Sequence, residues 1–151
     1  MNALRTFGVF AALAAAALAG TGCSRTTAKL RPEVEAGLAA EGIVHRADDT
    51  YVRRTHGIGT RRPGWDEMTA SIVVTRRTIL IHQNERTLVE IHPGSATATH
   101  VSRDHDRLTL RVGGARGAVS WSFHPPDDPV AWATDLRAVL KAGAAADRSS
   151  D

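Results

Sequence analysis

Seven histidines are the first residues to weigh: His45, His56, His82, His92, His100, His105 and His124. Imidazole binds zinc when two of them share one helix face at i, i+4, or when they alternate with cysteines at fixed spacing. None of these histidines has such a partner. Asp104-His105-Asp106 puts ligand-capable side chains in a row, but turns favour aspartate for backbone reasons alone. Serine, histidine and aspartate are all present, yet no GxSxG nucleophile elbow occurs. GIGTRRPG at 57–64 is rich in glycine but lacks the Lys-Ser/Thr ending of a phosphate loop. The residues therefore imply no enzyme, no cofactor and no catalytic set.

The arginines are the better lead. Arg53, Arg54, Arg61, Arg62, Arg76 and Arg77 fall within 25 residues, with Trp65 among them. A guanidinium forks two hydrogen bonds onto a phosphate or carboxylate. Two readings stay open for Arg53, Arg54, Arg61, Arg62 and Trp65: a site for anionic ligands, or a solvated edge of an arginine-rich protein. Only Lys29 and Lys141 are lysines, and the formal net charge of the 151 residues is +3. That balance is too mild for a nucleic-acid-binding tail, so no nucleic acid is expected.

The chain is long enough for one domain. It opens with Arg5, a thirteen-residue apolar run FGVFAALAAAALA at 7–19, and small residues before Cys23. This is the pattern of a secretory signal peptide over 1–22, too short for a standard transmembrane helix. Cys23 is the one cysteine, so no intramolecular disulfide can form. LAGTGCS resembles the lipobox of bacterial lipoproteins, with Gly20 where leucine is usual. The resemblance implies a diacylglyceryl-cysteine at Cys23 that anchors the mature chain to a membrane, and Ser24 then favours the periplasmic face of the outer membrane. The plainer alternative is an ordinary cleaved signal with a cysteine near the cut. Two or three acyl chains would hold firmly, because each buried methylene adds roughly 0.8 kcal/mol.

Residues 23–42 read as a tether and a short helix at 32–41, with Pro32 at a first helical position, acids in the first turn and Gly42 at the end. Residues 43–143 read as the folded domain and 144–151 as a frayed tail. A strand is expected at 50–59 and a loop at 60–67, where Pro63-Gly64 breaks the pattern. ASIVVT at 70–75 and TILIH at 78–82 flank a tight turn at Arg76-Arg77. QNER at 83–86 is a hairpin loop before TLVEIH, and SATATHVS at 95–102 is a weaker strand. RLTLRV at 107–112 and AVSWSF at 118–123 alternate cleanly, so one face is buried and the other wet. The helix expected at 129–142 carries Trp132, Leu136, Val139 and Leu140 on one stripe, with Asp127 and Asp128 as caps.

The fold class is α+β, mainly antiparallel β. The order of elements resembles a pleckstrin-homology-like (PH-like) or GRAM-like domain: a meander closed by one C-terminal helix with a tryptophan in its first half. VVTRRTILI at 73–81, DRLTLRVGG at 106–114 and AWATDLRAVL carry the likeness. The resemblance implies a barrel and a binding role, for a protein partner or for anionic lipid. A weaker alternative is a metal- or small-ligand-binding lipoprotein that uses the histidines or the barrel mouth.

Overall fold

The computed structural model describes residues 30–92, 99–113 and 117–148. The signal segment 1–22, Cys23 and the rest of the tether to residue 29, and residues 93–98, 114–116 and 149–151 lie outside them. The elements are α1 (Pro32–Glu41), β1 (Ile43–Ile58), β2 (Gly64–Thr75), β3 (Ile79–Gln83), β4 (Arg86–Ile91), β5 (Thr99–Asp104), β6 (Arg107–Val112), β7 (Ala118–Phe123) and α2 (Pro129–Arg148). All strands lie in one antiparallel sheet ordered β4-β3-β2-β1-β7-β6-β5.

β1 is the hinge of this sheet. It begins at Ile43, well before the expected residue 50. The chain continues through Asp48 because the register slips between Ala47 and Thr50, with Asp49 at φ 50. Such a bulge bends a strand and adds twist without ending it. Upstream of it β1 pairs only with β2, and from Val52 onward it pairs with β2 and β7 together. The sheet therefore turns about β1 into two wings, β2-β3-β4 and β7-β6-β5. Their inner faces share one core containing Val52, Ile72, Ile81, Leu108, Leu110 and Phe123.

The expected closed barrel is not what forms. β4 and β5 end the strand order and are not paired with each other. Part of the gap is covered by side chains of the C-terminal helix instead of hydrogen bonds. α2 packs against β5, β2 and β6, and Trp132, Ala133, Leu136 and Val139 enter the core. The carboxylate of Asp128 accepts from the Val130 N–H at 2.8 Å, capping α2, and Asp127 accepts from the Trp132 indole. α2 runs to Arg148, past the expected stop at Gly143. One helical glycine costs only about 1 kcal/mol, and the alanines after it are the best helix formers.

The short helix α1 ends at Gly42, whose φ of 81 few side chains tolerate. It does more than line an edge. Leu38 and Val34 pack with Leu30 on Val73 and Leu80, on the outer face of β2 and β3. This second cover explains why residues 70–75 and 79–82 are buried without alternation. Arg46 ties α1 to β1, donating to Glu35 at 2.6 Å and to Asp48 at 2.7 Å. The Glu35 and Asp48 carboxylates together hold its pKa above the usual arginine value.

The turns are tighter than the sequence suggests. β3 and β4 are joined by Asn84-Glu85 alone, both with positive φ, the geometry that matches strand twist in a two-residue hairpin. The expected loop at 60–67 shrinks to 59–63, because Gly64 and Trp65 already pair with His56 and Thr55. Gly57 shapes this tip. Its φ is 67, and its carbonyl accepts from the Thr60 N–H at 2.9 Å and the Thr60 hydroxyl at 2.7 Å. A Cβ there would sit 2.9 Å from the Arg62 carbonyl oxygen. Gly57→Ala is expected to cost about 1–3 kcal/mol through this forced backbone. Urea unfolding checks it: the midpoint falls while the slope stays as in the wild type.

Candidate binding surface

Successive side chains of a strand point to opposite faces. On β1, Tyr51, Arg53 and Thr55 therefore face away from the core, since Val52 is buried. The register sets Tyr51 opposite Thr69, Arg53 opposite Glu67 and Thr55 opposite Trp65. Tyr51 and Trp65 are 54% and 57% exposed, although they are large and apolar. The Arg53 guanidinium lies over the Trp65 ring, 4.6 Å from its centre. The Glu67 carboxylate accepts from the Tyr51 hydroxyl and thereby raises the phenol pKa. On the other side Arg53 pairs with Ser122, whose hydroxyl bonds Thr109 at 2.8 Å. The result is a flat patch of Tyr51, Arg53, Trp65 and Glu67 on paired strands. α1 covers the same outer face further along β2, at Val73, and leaves this part open.

The remaining arginines do not join it. Arg54 is on the opposite face from Arg53, with its guanidinium 5.4 Å from the Trp121 ring. Arg61 and Arg62 are exposed at the β1–β2 tip and form no ion pair among the described residues. Arg76 and Arg77 are at the other end of β2, eleven residues beyond Trp65, which is about 36 Å along a strand. One stretch of sequence thus supplies an outer patch, an inward arginine and two distant turns.

The histidines are dispersed as well. His45 stacks on Trp132 at 4.7 Å and bonds Asp135 at 2.7 Å. His92, His105 and His124 each lie beside a carboxylate, of Glu90, Asp104 and Asp106. His56 is 3.8 Å from Asp66. Among the described residues no three metal-ligating side chains converge, and no helix is long and apolar enough to cross a membrane.

Sequence reasoning overlooked Tyr51 and Glu67. The signal was present as matched spacings, 51/53 and 65/67, but it becomes a surface only once the two strands are known to pair. No protein-family model matches the chain, and no curated protein matches it.

Proposed function

We propose that this chain is a non-enzymatic envelope lipoprotein, anchored through a diacylglyceryl-cysteine at Cys23, whose PH-like domain is a binding module for a protein partner. The observation that carries the reading is the outer patch, where Trp65 is 57% exposed beneath Arg53, and Tyr51 is 54% exposed further along the same face. Tryptophan, tyrosine and arginine are the residues enriched at interaction hot spots. Held on a paired β-ribbon, they lose little side-chain freedom when a partner covers them. The strand order, with β1 shared by two wings and a C-terminal helix covering part of the gap, supports the PH-like assignment.

Site-directed photo-crosslinking in intact envelopes tests this. A photoreactive residue at position 69, exposed and paired with Tyr51, is expected to give a discrete protein adduct. The same probe at position 102 on β5 should give none, and Trp65→Ala with Arg53→Ser should abolish the adduct. No adduct from position 69 would overturn the proposal. For the anchor, Cys23→Ser is expected to eliminate incorporation of labelled fatty acid and to shift the chain out of the lipid-modified fraction.

A second reading rests on Arg61 and Arg62, exposed at the hairpin tip two residues before the ribbon that carries Trp65. There they suit anionic phospholipid head groups beside the anchor. If that holds, Arg61→Ser with Arg62→Ser abolishes salt-sensitive co-sedimentation with anionic vesicles, and the position-69 probe labels lipid.

A further inference from the structure

We infer that the open end of the bent sheet is a binding site for a small organic carboxylate with an apolar body, held on Arg54. The two wings do not meet in a seam, and a cleft of about 200 Å³ remains between them. Its walls are Leu88 and Val89 of β4 on one side and Val112, Val119 and Trp121 of β6 and β7 on the other. Among the described residues, Arg54 is the charged side chain in this lining.

Arg54 owes its direction to the strand period. Val52 is fully buried in the core, so Arg54, two residues on, faces the same interior. Its stem is enclosed while its tip reaches the mouth, where the Trp121 ring lies 5.4 Å from the guanidinium carbon. Among the described residues the buried Arg54 Nε meets no hydrogen-bond acceptor. Its Nη1 is 3.7 Å from the Asp66 carboxylate, too far for a hydrogen bond, and the two side chains are 39% and 50% exposed. A loose, half-exposed pair of this kind is strongly screened. His56 is also near this pair, 3.8 Å from Asp66, and Arg61 and Arg62 follow at the hairpin tip.

The part-exposed guanidinium offers N–H groups at the cleft, and a carboxylate is the acceptor that matches two of them at once. The apolar walls select the body attached to that carboxylate. The cleft is smaller than the usual span of drug-sized pockets, so it suits a short branched or aromatic acid and not a long acyl chain. Arg54 thus sets charge and orientation, and the valines, Leu88 and Trp121 take the body. This site is on the inner face, so it stands or falls independently of the outer patch around Trp65.

NMR titration of the full chain in zwitterionic nanodiscs tests the inference, with phenylacetate and its neutral analogue phenylacetamide as probes. Phenylacetate is expected to shift the Arg54 Nε–H and Trp121 indole resonances saturably, and phenylacetamide to bind at least about tenfold more weakly. Arg54→Met keeps the apolar stem and should reduce phenylacetate binding to the level of the amide. Leu88→Trp keeps Arg54 and fills the cleft, and should abolish binding of both. Equal binding of the two probes by wild type, phenylacetate binding unaltered by Arg54→Met, or an absence of shifts at millimolar phenylacetate would each overturn the assignment. The far-ultraviolet spectrum of each variant separates lost binding from lost folding.

Discussion

Replacing Trp132 with alanine is expected to destabilise the domain by about 3–5 kcal/mol, the range for deleting a fully buried tryptophan. Trp132 has no solvent exposure and is the largest fully buried side chain among the described residues. It stacks on His45 at 4.7 Å and meets Phe123 edge-on at 5.7 Å. Its indole N–H is satisfied by Asp127. The residue matters more here than it would in a closed barrel. Where β4 and β5 fail to pair, α2 is the element that covers the core side of β2, β5 and β6. Removing the indole opens a cavity beneath that cover and frees His45 from its stack. Thermal unfolding should show a fall of more than about 10 °C in Tm. Trp132→Phe should lose much less, because a phenyl ring still fills most of the site although the Asp127 bond and part of the indole volume are lost. Trp65→Ala, at an exposed position, is expected to stay within about 0.5 kcal/mol of wild type. A Trp132→Ala variant as stable as Trp65→Ala would show that α2 is not what covers the core.

Thr75→Val is expected to show the second large loss, though the two side chains have nearly the same shape. Thr75 is buried at the end of β2. Its hydroxyl oxygen accepts from the Thr78 N–H at 2.7 Å and from the Arg77 N–H at 3.1 Å, and it donates to Glu41 at 2.7 Å. Valine leaves these donors with nothing to bond. A dry backbone donor costs about 1–3 kcal/mol, and the Thr78 donor is fully buried. The substitution also changes how acid affects the protein. The Thr75 hydroxyl holds the Glu41 pKa below its ordinary value, against a smaller opposing effect of burial and with further help from Thr78, His92 and Arg77. A folded-state pKa that is lowered stabilises the fold above the unfolded-state pKa. That contribution disappears as pH falls through the folded-state value. Wild type should therefore lose more stability than Thr75→Val on going from neutral pH to below the ordinary carboxylate range. Urea midpoints at the two pH values measure this, and identical acid losses in both proteins would refute the role given to Thr75. The contact also fastens the end of α1 to the turn after β2, so the variant should increase amide exchange in α1.

Much of the fold is legible where a local pattern decides it. RLTLRV and AVSWSF alternate so cleanly that β6 and β7 occupy the expected residues. Pro32 and Gly42 bound α1, and Pro129 opens α2, because caps and proline act on the nearest few bonds. The errors fall where a distant partner overrides a local signal. β1 passes through two aspartates because β2 lies alongside to accept the bulge, and Gly64 enters a strand because His56 is there to pair with it. The buried run 70–75 is ambiguous in sequence, since nothing local says that Leu38 will cover its second face.

The candidate site divides the same way. Residue order was enough to establish that arginines and Trp65 gather near the first hairpin, that an apolar stripe with Trp132 needs a sheet to cover, and that the chain is α+β. Strand pairing in three dimensions was needed to send Arg53 outward onto Trp65 and Arg54 into the cleft, and to bring Tyr51 and Glu67 into the outer patch. It also left the sheet open. The reason is the range of the forces involved. Alternation, capping and turn geometry act over a few residues and are written in order along the chain. Register and curvature depend on how distant strands bond and how much apolar surface they bury, so one bulge at Asp49 re-aims everything after it.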